Sequence, residues 1–107
     1  MEEFVIKVGS GKTEEREGKS LKRFGYPAKV GRKIAEKVES GVNVKLMAIG
    51  PEAVNNACKA FAHAQAELML VRKNCVIKEI HFEQVTLKRE DKETKTRATV
   101  FKVSPTE

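Results

Sequence analysis

The sequence predicts an α+β domain, a two-layer sandwich with two helices on one face of a four-stranded mixed sheet, in the order β-α-β-α-β-β. Three observations predict it. Four runs rich in β-branched and alternating apolar residues read as strands, at residues 4–8, 42–49, 76–88 and 96–103. Two segments repeat apolar residues every three or four positions and open at a proline, which reads as helix. The first two strand runs are joined through a helix and are expected to be parallel, and the last two form an antiparallel hairpin.

Each element has its own local reason. FVIKV, residues 4–8, is a β-branched run. Residues 9–26 carry no apolar period, which is long for a connection in a compact domain and so suggests a functional or disordered loop. Pro27 suits the first turn of a helix, where its missing N–H is harmless. Val30, Ile34 and Val38 recur along one face with Ala35 beside them, and Gly41 stands where a left-handed terminator belongs. VNVKLMAI, 42–49, ends apolar on both faces, as buried strands in parallel pairs do. Gly50-Pro51 opens the second helix. Val54, Ala57, Cys58, Phe61, Leu68 and Met69 are expected to trace its buried face, the alanines at 53, 57, 60, 62, 64 and 66 to let it pack closely, and Asn74 to stop it. In VIKEIHFEQVTLK, 76–88, the apolar phase switches between Phe82 and Val85, which predicts a bulge or bend there. REDKETK, 89–95, reads as an exposed tip. TRATVFKV, 96–103, is the last strand, and Pro105 ends the structure. A sheet this small leaves its other face or an edge uncovered, and a homodimer is one way to cover it.

A chain of 107 residues makes a single domain, 1–107, with a modest core. No run approaches the roughly 20 apolar residues of a membrane span. MEEFVIKVG lacks the apolar core of a secretory signal, so a cytoplasmic protein is expected. Cys58 and Cys75 have neither C-x-x-C spacing nor a disulfide framework and read as reduced thiols. His63 and His81 have no partners at metal-ligand spacing, so both read as ordinary polar residues, with no zinc site and no cofactor expected. No catalytic arrangement is recognisable, and no enzyme is expected.

VGSGKTEE, 8–15, ends like a phosphate-binding loop, but the pattern G-x-x-x-x-G-K-[ST] needs glycine where Ile6 stands. Ile6 lies in a strand run, and Glu14, Glu15 and Glu17 would repel a polyphosphate. A Gly/Ser turn ending a strand is the better reading.

The net charge is +6. Residues 19–33, KSLKRFGYPAKVGRK, hold Lys19, Lys22, Arg23, Lys29, Arg32 and Lys33 and no acid, so this segment equals the whole net charge. A local basic patch on a neutral body is the footprint of a polyanion binder; a highly charged solvated surface is the alternative. Phe24 and Tyr26 interleave with the basic residues as candidates to stack on unpaired bases, or to pack the loop onto the helices.

AIGPEAVNNACKA, 48–60, resembles the centre of the stage V sporulation protein S family, in which a strand ending Ala-Ile-Gly precedes a helix with Ala-x-Asn-x-Ala-x-Lys-Ala. Those positions are Ala48, Ile49, Gly50, Ala53, Asn55, Ala57, Lys59 and Ala60. PAKVGRKIA, 27–35, resembles the family's first helix, and TRATVFKVSP, 96–105, its last strand. That family is similar in fold to the Alba chromatin proteins and to the C-terminal domain of translation initiation factor three. The resemblance implies an Alba-like dimer that binds DNA or RNA through the loop after strand one, the start of helix two and the last hairpin. Carried over, it points to Lys19, Lys22, Arg23, Lys29, Asn55, Lys59, Lys88, Arg89, Lys95 and Arg97. Asn55 has a second reading as a cross-link to the loop backbone. The sequence departs from the family in its longer loop 9–26 and in the acids Glu90, Asp91 and Glu93 at the hairpin tip. A mixed-charge tip is a poorer groove-entering arm than an all-basic one, which makes the loop the stronger candidate. A non-enzymatic nucleic-acid-binding regulator is thus expected. A protein-interaction module using the uncovered sheet face and a small anion or nucleotide binder at GSGKT are the competing readings.

Overall fold

The computed structural model describes residues 3–9 and 25–106. Its elements are β1 (Glu3–Val8), α1 (Tyr26–Glu39), β2 (Asn43–Ala48), α2 (Pro51–Met69), β3 (Cys75–Arg89) and β4 (Lys92–Pro105). They form one four-stranded sheet in the order β1-β2-β4-β3. β1 and β2 are parallel, whereas β4 is antiparallel to both β2 and β3. This is the expected two-layer α+β fold. The candidates Lys19, Lys22, Arg23 and Phe24, and most of the GSGKT run, lie outside the described residues.

Both helices start and stop by backbone chemistry. Each follows a positive-φ glycine, Gly25 or Gly50, and has proline in its first two positions. α1 ends in a Schellman motif: Gly41 takes φ 82, its N–H donates to the Val38 carbonyl, and the Val42 N–H donates to the Lys37 carbonyl. α2 ends the same way but with Arg72 in the left-handed position, at φ 58, and with Lys73 N–H donating to the Leu68 carbonyl. The expected stop at Asn74 is therefore late. The Asn74 side chain instead accepts from the Cys75 N–H, where β3 begins.

The core lies between the helices and one sheet face. Ile34, Val44, Leu46, Leu68, Cys75 and Val103 are fully buried. Against expectation, the buried face of α2 is Ala53, Ala57, Ala60, Ala64 and Leu68, while Cys58 and Met69 are exposed and Val54 and Phe61 flank the core half-buried. The helices approach closely at Gly31, which faces the backbone of Ala60 and Ala64 and the Cβ of His63. A Cβ there would stand 2.5 Å from His63 Cβ and 2.6 Å from the Ala60 carbonyl oxygen.

The bulge is also displaced. The register between β3 and β4 shifts between Ile77 and Glu79, not between Phe82 and Val85. Beyond the shift, Ile80 and Phe82 pair with Phe101 and Thr99, which places them on the helix side of the sheet. Val85 and Leu87 pair with Thr96 and Thr94 on the opposite face. The phase change in the sequence thus marks two differently apolar faces of one regular ribbon. The expected tip is shorter too, because the strands continue to Arg89 and Lys92 and leave only Glu90-Asp91 to turn.

Candidate nucleic-acid interface

β1 ends at Val8 and β2 at Ala48, both in the row that β4 completes with Thr99. Beyond that row β3 and β4 pair only with each other, as far as Arg89 and Lys92. At about 3.4 Å per residue this two-stranded arm reaches about 24 Å past the sheet. The first residues of α1 and α2 lie at the same end, since both helices follow strands or loops that finish there. A single end of the molecule therefore gathers the loop root, two helix N-termini and the arm. Helix N-termini add partial positive charge to that end.

The loop root is tied by side chains. The Gly9 N–H donates to the Tyr26 hydroxyl oxygen at 2.8 Å. Asn56 Nδ2 donates to the Gly9 carbonyl at 3.1 Å. Tyr26, a stacking candidate by sequence, is thus half-buried and positions the backbone of β1. The cross-link to the loop comes from Asn56, which sequence reasoning passed over in favour of Asn55, its neighbour. Asn55 is exposed, as is Lys59 one turn later. The signal that separates them is the helix period: Asn56 precedes the buried Ala57 and Ala60 on the inner side, and Asn55 points away.

The remaining candidates divide by position. Lys29 is exposed in the first turn of α1, at the gathered end. Lys33 lies over the Phe4 ring with its Nζ 5.5 Å from the ring centre, and Lys37 joins it at 4.5 Å. Arg32 lines a groove between the helices with Glu36, Glu39 and Glu67, away from the arm. Lys95 and Arg97 are exposed on β4, opposite Thr86 and Gln84, and share the helix-side face of the arm with Phe82. Lys88 is exposed and sits 3.7 Å from Glu93 across the arm. Arg89 closes β3.

The sheet face away from the helices carries a charge ladder. Glu79, His81 and Glu83 alternate along β3 and so point the same way. His81 Nε2 contacts Glu83 Oε2 at 2.7 Å, and Nδ1 lies 2.7 Å from Glu79 Oε2, off the line of a hydrogen bond. Lys45 Nζ reaches Glu83 at 2.8 Å from β2. The ladder spans the rows of Val100 and Ala98, which are fully buried. His81 was an isolated polar residue in the sequence; the i, i+2, i+4 spacing of Glu79, His81 and Glu83 in a strand was the available signal. Among the described residues no group of three His, Cys, Asp or Glu is placed to hold a metal ion. Cys58 is exposed, and burial pushes the Cys75 thiol up to about 11.

Hydrogen bonds from Lys45 and then His81 hold the Glu83 carboxyl below the ordinary glutamate value of 4.5. A group whose folded value is depressed stabilises the fold above its unfolded value, and that contribution is lost as pH falls through the folded value. Glu83→Gln is therefore expected to lower the melting temperature at neutral pH and to flatten its decline between neutral pH and about pH 3. Thermal unfolding followed by circular dichroism across that range checks it; parallel wild-type and variant curves would remove Glu83 from the acid response.

No helix among the described residues is long and apolar enough to cross a membrane. Comparison with solved structures finds Alba from Thermoplasma volcanium, with a TM-score of 0.60 and 11% identity over 94% of this chain and 98% of that one. At that identity the likeness is one of fold. Comparison with curated protein sequences returns no match. The family described as Stage V sporulation protein S matches residues 24–104, most of the chain and all of its elements after the first strand. On that match, and on an Alba-like fold that agrees with it, the chain belongs to the stage V sporulation protein S family.

Proposed function

We propose that this protein is a dimeric, non-catalytic nucleic-acid-binding regulator of the cytoplasm. The observation that carries the reading is the gathering at one end of the loop root at Gly9 and Tyr26, the exposed Lys29, Asn55 and Lys59, and the arm residues Lys95 and Arg97. The described part of the acid-free segment, residues 25–33, enters that end at the start of α1. Phosphates bound there would release condensed counterions, so affinity falls with salt. Six phosphate contacts would give a slope of about −5 in log K against log salt for a duplex.

Of the two expected dimer surfaces, the open sheet face and a sheet edge, the edge is the better supported. On the open face Val100 and Ala98 are fully buried within one chain, whereas Ile80 and Phe82 are 58% and 68% exposed on the outer strand β3. α2 runs beside the start of that strand, where Gln65 donates to the Cys75 carbonyl. Two copies meeting along β3 would bury both side chains and cap the unpaired strand edge.

Fluorescence anisotropy of labelled duplex DNA and single-stranded RNA, titrated at several salt concentrations, tests the binding. Wild type is expected to bind with a steep salt dependence. Lys22→Glu/Arg23→Glu and Lys95→Glu/Arg97→Glu are each expected to weaken binding at least tenfold and to reduce the slope by about 2. Absence of binding by wild type at low salt would reject the reading.

A further inference from the structure

The end of the molecule opposite the arm carries a feature that nucleic-acid binding leaves unused. α2 ends at Met69, and its C-cap Leu70 and the following Val71 continue the apolar run before Arg72 turns the chain. Successive helical residues lie about 100° apart, so three in a row cannot all face the core. Here none is buried: Met69 is 69% exposed, Leu70 82% and Val71 47%. Leu70 and Val71 border a groove of about 320 Å³ between the two helices. Glu36 and Glu39 on α1 and Glu67 on α2 border it as well, against the single guanidinium of Arg32. In a chain of net charge +6, an apolar groove with an acidic surround is a local inversion.

We infer that this groove is a docking surface for a basic amphipathic segment of a partner protein, with apolar side chains on Leu70 and Val71 and lysine or arginine against Glu36, Glu39 and Glu67. The charge selects the occupant. Nucleic acid is excluded by the same carboxylates. A second copy meeting the groove through a twofold axis would set those carboxylates against themselves, because such a contact presents one patch to its own image. A cationic segment with an apolar stripe satisfies both halves of the groove. Because the groove lies at the helix C-termini and the proposed nucleic-acid face at their N-termini, both could be occupied together.

The probe is a dye-labelled synthetic 14-residue leucine/lysine amphipathic peptide, with a leucine/glutamate twin as control, titrated into the full chain without nucleic acid. The leucine/lysine peptide is expected to bind wild type and the twin not to. Leu70→Ser and Glu36→Lys/Glu39→Lys are each expected to weaken it at least tenfold, and the charge reversal to transfer preference to the twin. Val71→Ser replaces Leu70→Ser if that variant fails to fold. Equal binding of both peptides, or affinity unchanged by both variants, overturns the inference. So does a change in sedimentation of the protein alone on Leu70→Ser, which would make the occupant a second copy. Loss of nucleic-acid binding by wild type would reject the proposed function and leave this inference standing.

Discussion

Gly31→Ala lowers the melting temperature by about 10 °C, although alanine is the better helix former. The substitution gains about 1 kcal/mol of helix propensity. Against that gain, the new Cβ would sit 2.5 Å from His63 Cβ, 2.6 Å from the Ala60 carbonyl oxygen and 3.1 Å from the Ala64 amide nitrogen. Two of these atoms are backbone and cannot rotate aside, so the helices must separate. Separation loosens the layer that buries Ile34, Ala57, Ala60 and Ala64, and overpacking of this kind costs about 1–3 kcal/mol, occasionally more. Taking the upper end for a backbone obstruction leaves a net loss of about 2 kcal/mol. For a domain of this size 1 kcal/mol corresponds to about 4–8 °C. Calorimetry or thermal circular dichroism measures the shift. A melting temperature equal to wild type would mean that the helices slide past one another freely and that the close crossing contributes nothing to stability.

Ile80→Asp/Phe82→Asp converts the proposed dimer into a folded monomer. The fold should tolerate the change, since both side chains are more exposed than buried within one chain. Association should not tolerate it. Fully burying a large apolar side chain is worth about 1.5–3 kcal/mol, and a twofold interface counts each residue twice. Even with half of that already realised in the monomer, four side chains contribute about 4 kcal/mol, and the aspartates add charge that must be desolvated. Each 1.4 kcal/mol is tenfold in Kd, so a weakening of at least several hundredfold is expected. Sedimentation velocity over a range of concentrations reads the result, with the melting curve of the variant as the check on folding. A wild-type chain that sediments as a monomer, or a variant that remains a dimer, would remove β3 as the interface.

The sequence by itself determined the element order, the helix starts at Pro27 and Pro51 and the terminator at Gly41. The element order rests on apolar periodicity, and the starts and the terminator rest on local backbone chemistry that needs no distant partner: proline lacks an N–H the first turn can spare, and glycine accepts positive φ. It also marked the family region, through Ala48 to Ala60. What the tertiary structure decided were the orientations. The inner face of α2 is its alanines at 53, 57, 60 and 64 with Leu68, and the close approach of α1 at Gly31 meets the backbone of Ala60 and Ala64. The bulge falls near Lys78, since β3 must first bury Cys75 and Ile77 against the helices and then extend past them as half of an arm. Asn56, not Asn55, ties down Gly9, and Tyr26 serves the same root. The register shift before Glu79 decided that Glu79, His81 and Glu83, which share a face by their spacing, point to the open side of the sheet. Each of these depends on which surface a residue meets across the fold, and a one-residue slip in a strand reverses that surface entirely.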